Sequence, residues 1–92
     1  MKHAGPHALD RLEPLLERLR HHGELKEKSR GCFYLRGRGF LHFHEHGEGE
    51  LYADIGLGDD FARLPAMTKA QHQAILRQTA RAIADGKPPQ PR

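Results

Sequence analysis

The run His42-Phe43-His44-Glu45-His46 places three imidazoles at alternate positions. On a β-strand, successive side chains leave opposite faces, so His42, His44 and His46 share one side, and a His-X-His pair at that spacing can reach one Zn²⁺. The candidate metal ligands are His42 and His44, joined by Cys32 and Asp54 if neighbouring strands bring these two alongside. Sulfur, imidazole and carboxylate together suit zinc, and nickel or copper(II) also binds such histidines. The same thiol, imidazole and carboxylate are the ingredients of an activated nucleophile. A flat sheet, however, supplies neither an oxyanion hole nor a cleft, so the reading leans away from an enzyme.

Positioning these groups requires strands, and the pattern between residues 31 and 57 supplies them. Aromatic and β-branched residues recur as Cys32-Phe33-Tyr34-Leu35-Arg36, Phe40-Leu41-His42-Phe43-His44 and Glu50-Leu51-Tyr52-Ala53-Asp54-Ile55. Two triplets separate them, Gly37-Arg38-Gly39 and Gly47-Glu48-Gly49, each suited to a hairpin turn with positive-φ positions. Three-residue loops are expected at both, because they align Phe33, Phe43 and Ala53 in one apolar row and Leu35, Leu41 and Ile55 in the next. The opposite face then carries Cys32, His44 and Tyr52 in one row and Tyr34, His42 and Asp54 in the other. Arg36 and Phe40 lie beyond them, and His46 lies beside Glu50.

Helical periodicity flanks the strands. Leu9, Leu12, Leu15, Leu16 and Leu19 form one apolar stripe, predicting a helix over about residues 10–22 that stops at Gly23, with Pro14 limiting how early it starts. Thr68 and Gln71 make a capping box for a second helix that runs to about Asp85 and stops at Gly86, with Ile75, Leu76, Thr79, Ala82 and Ile83 inward. Residues 24–30 read as a charged connector. Residues 58–67 read as another, with Phe61 and Leu64 anchored on the core. The expected fold class is therefore α+β: helix, three-stranded antiparallel meander, helix, with both helices on one sheet face. A single domain over residues 8–86 follows, with residues 1–7 and 87–92 as flexible tails and His3 and His7 in the first of them.

At 92 residues the chain has room for one ordinary domain, and its hydrophobic share of 37% is lean, so burying the open face against a second copy would help it. A homodimer is the expected assembly. The net charge of +3 comes without any long block of like charges. One cysteine, Cys32, cannot form an internal disulfide, and no stretch approaches the roughly 18 apolar residues of a membrane span. The expected compartment is the cytoplasm, with no membrane partner.

Arg36-Gly37-Arg38-Gly39-Phe40-Leu41-His42-Phe43 resembles the octapeptide of RNA-recognition domains, which display stacking aromatics on an exposed sheet. Arg38 stands where that family has one of those aromatics, and the first element here is helical rather than a strand. Nucleic acid therefore ranks behind the other ligands. The longer stretch from Gly31 to Glu45, followed by Tyr52-Ala53-Asp54-Ile55 and a capped helix, resembles a group of small bacterial α+β proteins. These are built around an aromatic-arginine, Phe-Leu-His-Phe-His-Glu hairpin. That resemblance covers most of the chain outside its tails. It implies a bacterial cytosolic origin and brings no assigned activity. The function expected from the sequence is non-enzymatic binding or self-association through the face bearing Tyr34, Arg36, Phe40, His42, His44 and Tyr52. A zinc site or a small-ligand site on that face is the alternative, and single-stranded nucleic acid a further one.

Overall fold

In the computed structural model, which describes residues 2–57 and 60–85, the periodic leucines and the glycine-punctuated strands fold into an α+β structure with two helices and one antiparallel sheet. Strand β1 (Lys2–His3) precedes helix α1 (Pro6–Leu19). Strands β2 (Leu25–Ser29), β3 (Cys32–Leu35), β4 (Arg38–His46), β5 (Glu50–Leu57) and β6 (Asp60–Pro65) follow, and helix α2 (Lys69–Ala84) completes the order. The sheet runs β2-β3-β4-β5-β6, with β1 also paired to β4. No helix among the described residues is long and apolar enough to cross a membrane.

Among the described residues the sheet has six strands rather than three. The segment read as a charged connector, residues 24–30, is the edge strand β2. Its lysines mask its period: Lys26 and Lys28 point away from the helices while Leu25 and Glu27 face them, an arrangement that protects an exposed edge from pairing with other chains. The second expected connector holds β6, where alternation sends Ala62 and Leu64 to the core and Phe61 and Arg63 to the other face. Leu64 anchors as expected. Phe61 does not, and remains 49% exposed. Residues 2–7 are no tail either, since Lys2 and His3 pair with Glu45 and His44, and α1 starts at Pro6; Met1 lies outside the described residues. Gly86 and the expected tail at residues 87–92 lie outside the described residues, as does Gly58.

Between β4 and β5 the expected register is present at every row, from Leu41 opposite Ile55 to His46 opposite Glu50, around a three-residue loop. The β3–β4 hairpin departs from expectation. Leu35 pairs with Arg38, so the loop holds only Arg36 and Gly37, both at positive φ (50° and 83°), as a tight two-residue turn requires. A bulge then follows: Tyr34 pairs with Gly39 but Phe33 with Leu41, leaving Phe40 as the extra residue. The bulge turns Phe40 and Leu41 to the same side, and both are fully buried. Phe40 therefore belongs to the core, not to the open face.

Both helices pack on the face made by Phe33, Leu35, Leu41, Phe43, Ala53 and Ile55. Helix α1 contributes Ala8, Leu12, Leu15, Leu16 and Leu19, and α2 contributes Ile75 and Thr79. The α2 start is as read from the sequence, with Thr68 and Gln71 capping each other. Helix α1 begins earlier than expected, because Pro6 fits the first turn and the exposed Pro14 is tolerated inside. Charge then ties α1 to the sheet edge. Arg20, at its C-terminal cap, donates to both carboxylate oxygens of Glu27 (2.6 and 3.0 Å), and Glu27 also accepts from the Gly31 amide.

The bulge makes a sharp prediction. Phe40→Ala should destabilise the protein by about 3 kcal/mol or more, the cost of emptying a packed aromatic site. Urea unfolding monitored by circular dichroism measures it; a loss below about 0.5 kcal/mol, typical of surface sites, would return Phe40 to the open face.

Candidate metal centre on the helix-free face

Strand alternation collects the chemistry on the face that, among the described residues, no helix covers. One row across the sheet reads His3, His44, Tyr52, Pro65; the next carries His42, Asp54, Arg63. Asp54 sits at the centre. Its Oδ2 lies 3.1 Å from His44 Nδ1 and 3.7 Å from His42 Nε2, and ligand atoms of these three residues all fall within 4.8 Å of one another. Ligands of one tetrahedral zinc stand about 3.3 Å apart, as bonds of about 2.0–2.1 Å dictate. Small side-chain rotations would therefore close the set around an ion.

His44 and Asp54 are buried although the face is open, because the rings and side chains of the face cover them. The His3 ring lies 4.7 Å from that of His44 and 5.7 Å from that of His42, and Phe61 packs edge-on to His42 at 5.2 Å. The Nδ1 of His44 is buried and, despite the 3.1 Å approach to Asp54, lacks the alignment of a hydrogen bond. A buried ring nitrogen without a hydrogen-bond partner is an incomplete arrangement, and a metal ion is one group that completes it.

Arg63 balances the carboxylate. Its Nε donates to Oδ1 (2.8 Å) and its Nη2 to Oδ2 (2.9 Å), a paired geometry that Lys could not reproduce. These hydrogen bonds hold the Asp54 carboxyl below its ordinary range, against the opposing effect of burial. Burial pushes both imidazoles below their ordinary value, and the neighbouring His44 adds to the effect on His42. Asp54 opposes that shift without reversing it. The shift favours the neutral ring in both, the form in which imidazole binds a metal.

The sequence-derived candidates divide. Tyr34, His42, His44, Tyr52 and Asp54 lie on the helix-free face, as expected. Tyr34 is half-buried against Gly39, with the Lys28 ammonium 4.2 Å above its ring, and Tyr52 donates to Glu50 at 3.3 Å. Phe40 is in the core. Arg36 turns toward the helices, where its Nη2 donates to the Ile83 carbonyl at 3.3 Å. Cys32 stays outside the donor group, because the two-residue β3–β4 turn shifts β3 along β4, a shift the bulge only partly recovers, and the strand beside His44 is β1. The thiol, imidazole and carboxylate set is thereby dissolved. His46, exposed at the end of β4, is outside it too.

Three neighbours of the site stand where the sequence does not place them: His3, expected in a tail, Phe61, expected in the core, and Arg63, expected in a connector. Period-two alternation in Phe61-Ala62-Arg63-Leu64 was a usable signal for the last two. A two-residue strand such as Lys2–His3 carries no period at all. Searches against protein-family models, curated proteins and solved structures found no match.

The electrostatics can be tested by NMR pH titration of the imidazole C–H signals. His42 and His44 should titrate below about 6.5. Asp54→Asn should lower both further, because it removes the neighbour that favours protonation and leaves Arg63 uncompensated. A rise in either midpoint in that variant would overturn this account of the cluster.

Proposed function

We propose that this protein is a small non-enzymatic binding module that takes a divalent transition metal ion, zinc foremost, on its helix-free sheet face. The ligands are His42, His44 and Asp54. The observation that carries the reading is the buried Nδ1 of His44, which makes no hydrogen bond although it lies 3.1 Å from the Asp54 carboxylate, with the His42 imidazole beside it. Two imidazoles and one carboxylate oxygen are a donor set that zinc accepts, and a surface position leaves room for a further ligand. Arg63 competes for the same Oδ2. An entering ion must loosen that contact, so Arg63 tunes affinity downward.

Self-association through this face is the second reading. It is supported by Phe61, exposed beside His42 on the face that also carries Tyr52 and Tyr34, and it leads to a face-to-face homodimer. The nucleic-acid reading loses its main support with Phe40 in the core. A cytoplasmic location fits a chain with one cysteine, and a bacterial origin follows from the resemblance alone.

Native mass spectrometry of the tag-free chain, with and without one equivalent of Zn²⁺, tests metal binding and subunit count together. One zinc per chain is expected, with affinity reduced at least about a hundredfold in His44→Ala and His42→Ala and increased in Arg63→Gln. A wild-type chain that holds no stoichiometric zinc overturns the metal reading. If that chain is also a dimer that Phe61→Asp converts to monomer, the self-association reading takes its place.

A further inference from the structure

Strand β1 is only two residues long, and a small set of specific bonds docks it. Lys2 and His3 pair with Glu45 and His44, the Ala4 amide donates to the Phe43 carbonyl at 3.0 Å, and the Gly5 amide donates to Glu45 Oε2 at 2.6 Å. These contacts set β1 against the half of β4 that β3 does not reach. They also put His3 directly across from His44. The three imidazoles then sit as a triangle, with centroids 4.7, 5.0 and 5.7 Å apart. The nitrogens of His3 lie outside the 4.8 Å group formed by His42, His44 and Asp54, but His3 is exposed, and turning its ring toward that group does not disturb the core.

We infer that His3 is the fourth ligand of the metal centre, so that the ion closes β1 onto β4. This rests on the metal reading above and adds to it a ligand from a separate element. Zinc prefers four ligands in tetrahedral array, and His42, His44 and Asp54 provide three. His3 completes a set of three nitrogens and one oxygen, drawn from strands β1, β4 and β5. Ligands on β4 and β5 belong to one rigid hairpin. The ligand on β1 belongs to a short strand with few bonds of its own, and such strands are marginal alone. Metal binding and strand docking are therefore linked: whatever factor docking adds to zinc affinity, zinc returns to docking.

Two measurements on the tag-free full chain test this: zinc titration by calorimetry, and amide exchange read by mass spectrometry with and without zinc. In the wild type, zinc should slow exchange at Ala4 and Gly5. His3→Ala should keep one zinc per chain with affinity lower by at least about tenfold, and should lose that slowing. Circular dichroism of His3→Ala confirms that the fold is retained, as expected for an exposed side chain. If zinc binds wild type and His3→Ala with equal affinity, and His44→Ala or His42→Ala abolishes binding, the inference about His3 falls while the metal reading stands. If the wild type binds no zinc, both fall.

Discussion

Strand β4 spans nine residues and its partner β3 only four, and this mismatch organises the rest of the molecule. A central strand cannot leave half an edge of buried backbone groups unpaired without a substantial cost in desolvation. Chain from the other side of helix α1 fills the gap: β1 pairs with the far half of β4 before the helix begins. The Gly5 amide at the start of α1 is bonded to Glu45, so strand edge and helix start share one anchor. The same constraint decides what stands beside His44. It is a histidine from β1, not the cysteine from β3.

The bulge at Phe40 is the second half of this arrangement. One extra residue in β4 lets a two-residue turn precede it while keeping Leu41 and Phe43 inward, and it adds a complete aromatic ring to the core. For a lean chain this burial matters, since each fully buried large side chain is worth about 1.5–3 kcal/mol. The polar side of the sheet is left to a compact electrostatic unit. Asp54 is compensated first by the Arg63 hydrogen bonds and to a smaller extent by His44 and His42, while burial disfavours the charged form of both imidazoles. The site thus sets a hydrogen-bonded ion pair beside two imidazoles whose protonation burial disfavours.

Much of the scaffold was legible. Leucine periodicity revealed α1, the Thr68 and Gln71 box revealed the start of α2, and alternation around Gly47-Glu48-Gly49 gave the whole β4–β5 register, including His42 beside Asp54. The readings failed where local pattern was ambiguous. Gly37-Arg38-Gly39 looks like its counterpart in the second hairpin, but Arg36 rather than Gly39 enters the turn, and a bulge absorbs the difference. Lysines hid β2 because an edge strand needs no apolar outer face. Lys2–His3 reads as a tail and not as a strand because two residues cannot show a period.

What the amino-acid order determined by itself is therefore the set of faces: which side chains of β4 and β5 look toward the helices and which look away, since alternation is a property of the strand alone. His42, His44, Asp54 and Tyr52 were assigned correctly on that basis. Which residues from elsewhere join them was decided only by tertiary structure. Bringing His3 and Arg63 to the cluster, and sending Phe40, Arg36 and Cys32 away from it, depends on strand lengths, one bulge and the pairing of β1 across α1. These are long-range choices, set by how the whole core packs and by the need to pair every edge of β4.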